Sequence, residues 1–347
     1  MPQTESPTRA GKIAVLGSGT IGTYLGGALL AAGADVILIG RPAMRARIAK
    51  FGLVLTDLKQ RRVQRSAEQV PYREDAQALS EAKLILVTVK SSASAAAAVD
   101  IARHAAPGAL VVSLQNGIGN AAVLRQGAPQ AQVIGGMVPF NVVQCPDGRL
   151  HRGTEGELMV ERCAALQPWL PVFARAHIPL IERDDFVAVQ WGKLLLNLNN
   201  PVNALSGLPL RQQLSQRLYR RVLAALIDEA LGVLHQAKIV PAKVGKIAPR
   251  WLPTLLQLPD WLFRRVAAQM LKIDPEARSS MWEDLQAGRA TEIDYLNGAV
   301  VALAATCGLD APCNRRMVTL VIQATNGTNR QVDGATMLRA LSQFETR

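Results

Sequence analysis

Residues 12–41 read KIAVLGSGTIGTYLGGALLAAGADVILIGR. The opening KIAVL has the apolar pattern of a buried β-strand, and residues 35–39 have it again. Between them stand Gly17, Gly19 and Gly22, a GxGxxG. From about Thr20 the apolar spacing becomes helical, and it stops at Gly33, a candidate helix C-cap. A strand, this glycine pattern, a helix and a second strand within about 30 residues predict a βαβ unit that binds a dinucleotide. The three glycines serve different ends. Gly17 permits the tight turn, Gly19 lets a pyrophosphate approach the backbone, and Gly22 lets the helix pack on the strand. The helix N-terminus offers unpaired N–H groups and a positive dipole end. Gly17, Ser18, Gly19, Thr20, Ile21 and Gly22 are therefore the candidate cofactor loop.

The end of the second strand distinguishes the two nicotinamide dinucleotides. NAD sites place an acid there for the ribose hydroxyls. Here the strand ends in LIGR, without an acid, and Arg41 stands where a guanidinium can grip a 2′-phosphate. Arg45 and Arg47 follow. The expected cofactor is NADPH.

Working outward, AKLILVTVK (82–90) and GALVVSLQNGIG (108–119) read as internal parallel strands. Lys90 and Asn116 lie at their carboxyl ends, the ligand edge of a doubly wound sheet. GLVLTDLKQRRVQR (52–65) reads as a hairpin-like excursion, and VIGGMVPFNVV (133–143) and GELMVE (156–161) as continuations of the sheet.

From about residue 185 the pattern turns helical. VQWGKLLLNLNNPVNALSG (189–207) reads as one helix with Lys193 set among leucines. Burying an ammonium costs several kcal/mol unless it meets a partner, water or ligand. Spacings of i, i+4 and i+7 place Lys193, Asn197 and Asn200 in one polar stripe, with leucines on the other sides. Residues 210–239 read as a single long amphipathic helix, and the proline-bearing 249–273 as short helices with a bend, core or dimer interface rather than membrane surface. In 279–308, Ser280 with Glu283 and Thr291 with Asp294 have capping-box spacing, so a second helix is expected from about Thr291 to Gly308, with Glu292 in its first turn.

Composition bounds the class. A chain of 347 residues is long for one core, so two domains are expected. The net charge of +12 suits an anionic ligand, but the basic residues are dispersed and no aromatic-basic stacking motif appears, so no nucleic acid partner is expected. No apolar run is long enough to span a membrane. The polar N-terminus reads as a disordered tail over 1–10, not a signal peptide, and Cys145, Cys163, Cys307 and Cys313 as reduced, mostly buried thiols of a cytoplasmic protein. No residue set has metal-ligand spacing, and His104, His151, His177 and His235 sit in no motif.

The segments KIAVLGSGTIG, LVTVK, SLQNGIG, GKLLLNLNNPVNAL and SSMWEDLQAGRATEIDYLNG, in this order and spread over nearly the whole chain, resemble the ketopantoate reductase (2-dehydropantoate 2-reductase) family. The resemblance implies an α/β Rossmann-type dinucleotide-binding domain over 11–184, an all-helical substrate and catalytic domain over 185–347, and a site in the cleft between them. It implies NADPH-dependent reduction of 2-dehydropantoate to (R)-pantoate, a step toward pantothenate and coenzyme A. It makes Lys193 the catalytic lysine and Glu292 the glutamate of the TEID element. Asn197 and Ser280 fall on substrate-binding positions, with Asn200 beside them, and Lys90 and Asn116 on polar positions near the nicotinamide.

The chain departs from the pattern at Arg211 and in the 251–273 segment, which leaves open a paralogue acting on another branched 2-oxo acid. A glycerol-3-phosphate or hydroxyacid dehydrogenase fits the TEID and QNGIG elements less well. A non-catalytic NADPH-sensing protein has no need of Lys193, Asn197, Ser280 and Glu292 together. An apolar helical domain is compatible with a homodimer.

Overall fold

The computed structural model describes residues 11–245, 247–267, 276–327 and 331–342. The expected tail over 1–10 and residues 268–273 of the proline-bearing segment lie outside them. The chain divides into two compact units, 1–186 and 187–347.

In the first unit the elements run β1 (Lys12–Leu16), α1 (Thr20–Ala31), β2 (Val36–Ile39), α2 (Pro42–Phe51), β3 (Leu53–Asp57), β4 (Arg62–Arg65), β5 (Tyr72–Arg73), β6 (Ala82–Val87), α3 (Ser94–His104), β7 (Leu110–Ser113), α4 (Asn120–Gly127), β8 (Gln132–Met137), β9 (Val142–Gln144), β10 (Leu150–Arg152), β11 (Leu158–Glu161), α5 (Leu170–Arg175) and β12 (Leu180–Arg183). An eight-stranded sheet has the order β12-β11-β8-β7-β6-β1-β2-β5. Its pairings are parallel except for β8 against β11. Both faces are covered: Ile13, Val15, Leu84 and Leu86 belong to one core, and Ala14, Leu16, Ile85 and Val87 to the other. This is why the strands read as continuous apolar runs and not as alternation.

The excursion at 52–65 is an antiparallel hairpin. It belongs to a separate four-stranded sheet, β4-β3-β10-β9. Residues 133–143 are therefore not one continuation of the main sheet. β8 joins it, and Val142 and Val143 leave for the small sheet by pairing with β10. Pro139, which cannot donate to a ladder, lies between the two.

The second unit is helical among its described residues: α6 (Phe186–Asn197, beginning on the last residue of the first unit), α7 (Asn199–Ser206), α8 (Leu210–Ser215), α9 (Arg217–Gln236), α10 (Leu252–Leu256), α11 (Asp260–Val266), α12 (Ser280–Gln286), α13 (Asn297–Thr306), α14 (Pro312–Thr325) and α15 (Gly334–Ser342). The central α9 packs against α10, α13, α14 and α15.

Three helix expectations are corrected here. The helix around Lys193 breaks at Leu198. Pro201 removes an N–H and its ring would clash with the Asn197 carbonyl four residues back. The long helix over 210–239 breaks at Gln216, where the fully buried Arg220 donates to the Leu214 carbonyl at 3.1 Å and to those of Leu256 and Leu258 at 3.0 and 2.7 Å. The helix expected from Thr291 begins at Asn297, after a 3₁₀ turn over Ile293–Tyr295. That tighter turn brings residues three apart side by side, and Ile293 and Leu296 are both buried.

The thiols are less buried than expected: Cys163 is buried, and Cys145, Cys307 and Cys313 are half-buried. No helix of the described residues is long and apolar enough to cross a membrane.

Candidate functional site

In the first unit the candidate residues gather at the carboxyl ends of β1, β2, β6 and β7. The strand order reverses between β1 and β6, and in open α/β sheets ligands bind at that point. Thr88, just past β6, ties it closed: its N–H donates to the Leu16 carbonyl at 2.8 Å and its hydroxyl to the Gly17 carbonyl at 2.9 Å.

The glycine loop is built as the residue types require. Gly17 has φ +100°, a left-handed conformation that side chains resist. A Cβ on Gly22 would lie 2.7 Å from the Gly17 carbonyl and nearer still to the Thr88 hydroxyl, so this glycine secures close packing. Gly19 differs, since a Cβ there would meet nothing closer than 3.9 Å. The N–H groups of Gly17 and Ser18 are both committed to the Ile39 carbonyl at 2.9 Å, and the Ser18 side chain is buried. Ser18 thus shapes the loop from below. The first-turn amides of Thr20, Ile21 and Gly22, at the N-terminus of α1, have no intrahelical acceptor. The Thr20 hydroxyl is held by Gln144 of β9 at 3.2 Å. Open space over Gly19 and unpaired amides at its rim fit a dinucleotide pyrophosphate.

Of the three arginines after β2, two are engaged. Arg45 pairs with Glu74 at 3.2 Å and Arg47 donates to the Cys145 carbonyl at 2.6 Å. The Arg41 side chain is exposed, while its carbonyl accepts from the Tyr72 hydroxyl at 3.0 Å. Burial is the main cause that pushes the Tyr72 hydroxyl up to about 12. That phenol keeps its proton and fixes the backbone from which Arg41 projects.

Lys90 and Asn116 follow β6 and β7; Lys90 is half-buried and Asn116 exposed. Beneath them lies a buried polar cluster that sequence reasoning missed. Asn120 donates to the Asn116 carbonyl at 2.7 Å and to the Ser91 hydroxyl at 3.2 Å, and Ser91 donates to the same carbonyl at 2.8 Å. Ser94 donates to Asn120 Oδ1 at 2.7 Å, and Gln115 donates to Ser94 at 2.7 Å. The available signal was the density of small polar residues in KSSAS and SLQNGIGN, directly after two apolar strands.

In the second unit Lys193 and Asn197 sit one turn apart on α6, both half-buried, with Leu194, Leu195 and Leu198 buried around them. Leu196 is exposed, so the leucines do not all pack inward. Burial lowers the Lys193 ammonium from 10.5 to about 8. Asn200 is on α7, beyond the break, so the three residues are not a stripe on one helix.

The cap of α12 is Ser279 and not Ser280. Ser279 Oγ accepts from the Trp282 N–H at 3.2 Å and donates to the Asn200 carbonyl at 3.1 Å, and its own N–H donates to Asn203 Oδ1 at 2.9 Å. Tertiary partners on α7 choose between the two serines. Ser280, exposed in the first turn, directly follows the serine that donates to the Asn200 carbonyl. Asn203, fully buried and also donating to the Leu208 carbonyl at 2.9 Å, is the positioning residue the sequence reading lacked. Glu292 is half-buried at the start of the 3₁₀ turn; the expected Thr291 cap is absent, since no side chain caps that turn. Among the described residues no group of three or more His, Cys, Asp or Glu is placed to hold a metal.

Comparison with known proteins agrees over both units. The family described as Ketopantoate reductase PanE/ApbA matches residues 13–164, and its C-terminal counterpart matches 185–325. A 2-dehydropantoate 2-reductase of Pyrococcus abyssi is 28% identical over 319 residues, 87% of this chain and 94% of the relative. The crystal structure of a PanE/ApbA family ketopantoate reductase from Ralstonia eutropha JMP134 superposes with TM-score 0.77 at 29% identity, covering 91% of this chain and 99% of that one. D-mandelate dehydrogenase, solved with NADH and anilino(oxo)acetate, shares the fold with TM-score 0.74 at 20% identity, over 91% of this chain and 98% of its own. The open cradle over Gly19, the lysine on α6 and the family match over most of the sequence converge: this chain belongs to the ketopantoate reductase family and is an oxidoreductase that acts on CH–OH groups with a nicotinamide cofactor.

Proposed function

We propose that the chain reduces 2-dehydropantoate to (R)-pantoate with NADPH. The observation that carries this reading is Lys193, a half-buried ammonium on an apolar helix whose pKa has fallen to about 8. The amides of Thr20, Ile21 and Gly22 would hold the pyrophosphate, Arg41 the 2′-phosphate, and Lys90 and Asn116 the nicotinamide half. When bound, NADPH supplies the hydride. Lys193 Nζ gives its proton to the ketone oxygen as C2 is reduced, and leaves as a neutral amine to be recharged from solvent. A lysine near 8 remains largely protonated at neutral pH yet parts with its proton far more readily than one at 10.5. Asn197, Asn200 and Ser280 offer hydrogen bonds to the carboxylate and hydroxyl of the substrate, and Glu292 orients the substrate hydroxyl or Lys193.

Relatives called 2-dehydropantoate 2-reductase support the substrate, among them the Pyrococcus abyssi protein at 28% identity. The exposed Arg211 after NNPVNALSGLPL favours, as a second reading, another branched 2-oxo acid at the same site. The test is loss of nicotinamide absorbance with NADPH and 2-dehydropantoate, run beside other branched and aryl 2-oxo acids. Turnover of 2-dehydropantoate at least tenfold above the rest is expected; a reversed order would move the substrate to the second reading, and turnover of none would defeat both.

A further inference from the structure

We propose that Asn120 is a positioning residue for the nicotinamide end of the cofactor site, through a buried clamp that joins the loop after β6 to the loop after β7. This rests on reading Lys90 and Asn116 as the residues of that end.

The clamp is built from both loops and from the helix that follows each. Ser91 and Ser94 come from the β6 side, and Gln115, Asn116 and Asn120 from the β7 side. Gly117 and Gly119 both take positive φ, at +83° and +89°. These left-handed residues turn the chain back so that Asn120, the first residue of α4, returns beneath the Asn116 peptide.

Ser91, Ser94, Gln115 and Asn120 are all at most 9% exposed, although none is charged and none is a core hydrophobe. Five neutral hydrogen bonds of 2.7–3.2 Å link them to one another and to the Asn116 carbonyl. The chain extends to Ser113 at the end of β7, whose hydroxyl donates to Gln115 Oε1 at 2.9 Å. Both ends of the Asn120 carboxamide are used, the Nδ2 twice as donor and Oδ1 once as acceptor. Its orientation is therefore determined, and it converts two separate loops into one rigid rim. The Asn116 carbonyl accepts from both sides of the clamp, which fixes the peptide that carries the exposed Asn116 side chain. Lys90 immediately precedes Ser91, so the same bonds fix its backbone relative to Asn116. In a dry environment a fully satisfied network of this kind rigidifies, while loss of one member strands its neighbours.

Asn120→Asp tests this with the shape preserved. The aspartate cannot donate, and it sets a carboxylate against the Asn116 carbonyl. Displacement of positioned groups by about 1 Å costs up to about a hundredfold in rate. For Asn120→Asp we expect NADPH affinity and kcat each to fall about tenfold, while affinity for the adenosine bisphosphate fragment of NADPH, which reaches only Arg41 and the glycine loop, stays within about twofold. Ser94→Ala, which removes the donor to Asn120 Oδ1 and the acceptor for Gln115 Nε2 but leaves both Asn120 donations in place, should show the same pattern at about threefold and decides the question if Asn120→Asp does not fold. Unchanged NADPH affinity and kcat in the folded variants would overturn the proposal, and so would equal losses for NADPH and the fragment, which mean general loosening of the unit. Lys90→Ala and Asn116→Ala separate the underlying reading. If both leave NADPH affinity and kcat intact, that reading fails and the proposal with it; if both matter and Asn120→Asp does not, only the clamp fails.

Discussion

An ammonium held among leucines loses hydration, and its proton becomes easier to remove. For Lys193 this brings the pKa from 10.5 to about 8, with burial as the cause. Reduction requires the protonated form, so kcat is expected to fall as pH rises through about 8, and Lys193→Ala to lose about 10²–10⁴-fold in kcat while still binding NADPH. The checks are a kcat–pH profile at saturating substrate and a titration of NADPH into the variant; a profile flat through that range would remove Lys193 as the acid. Stability carries the same shift with a definite sign. The folded-state pKa lies below the unfolded one, so the cost of burying the charge is fully present below about 8 and gone above 10.5. Lys193→Met should therefore be more stable than the wild type at neutral pH, by roughly 1–3 kcal/mol, and the gain should vanish in strongly alkaline buffer. Denaturant melts at the two extremes measure it. Arg41 is the other residue-scale test: its exposed side chain is free for a 2′-phosphate, and charge-assisted hydrogen bonds contribute about 1.5–3 kcal/mol, so Arg41→Ala should weaken NADPH by about ten- to a hundredfold and spare NADH. Lys193, Arg41 and Glu292 were legible in the sequence as residue types in motifs; the Lys193 pKa was not, because it depends on how much protein surrounds Nζ.

At the scale of elements, the glycine loop makes opposite forecasts for two of its members. Gly22→Ala places a methyl 2.7 Å from the Gly17 carbonyl, backbone that has little room to move, and should lower the melting temperature measurably. Gly19→Ala meets nothing within 3.9 Å and has an ordinary negative φ, so it should fold with little change in melting temperature and lose dinucleotide affinity, since its methyl occupies the space over the loop. Calorimetry and cofactor titration on both variants distinguish packing from binding; a Gly19→Ala protein that binds NADPH normally would mean that the pyrophosphate lies elsewhere. In the second unit, Asn203→Ala strands the Ser279 N–H and the Leu208 carbonyl, and should cost about 1–3 kcal/mol while loosening the Asn200–Ser280 neighbourhood. A denaturation midpoint and KM for the oxo acid, both shifted, are expected. Periodicity predicted most of the strands and helices behind these tests. It failed where a tertiary partner outbid local preference, at Ser279 against Ser280, at the α8–α9 break under Arg220, and at the 3₁₀ turn before α13.

Over the whole molecule, the charge of +12 makes the surface attractive to an anionic cofactor. Long-range steering is screened beyond about 10 Å in 0.1 M salt. KM for NADPH should rise by about three- to tenfold between low and high ionic strength, and more steeply than for NADH, which lacks the 2′-phosphate. Equal salt slopes for the two would assign the charge to solubility alone. By itself the sequence determined the βαβ unit, the apolar strands of a doubly wound sheet, the shift to helices near residue 185, and the glycine pattern that opens α1. These follow from local geometry: the side-chain period of a strand or helix, the space a glycine leaves, and the spacing of residues along one turn. The tertiary structure alone decided which strands leave for the second sheet, which serine caps α12, how far Lys193 is desolvated, and that Asn120 joins two loops whose residues lie up to 29 positions apart. Each of these depends on partners distant in the chain, and a hydrogen bond between residues so separated leaves no period in the sequence.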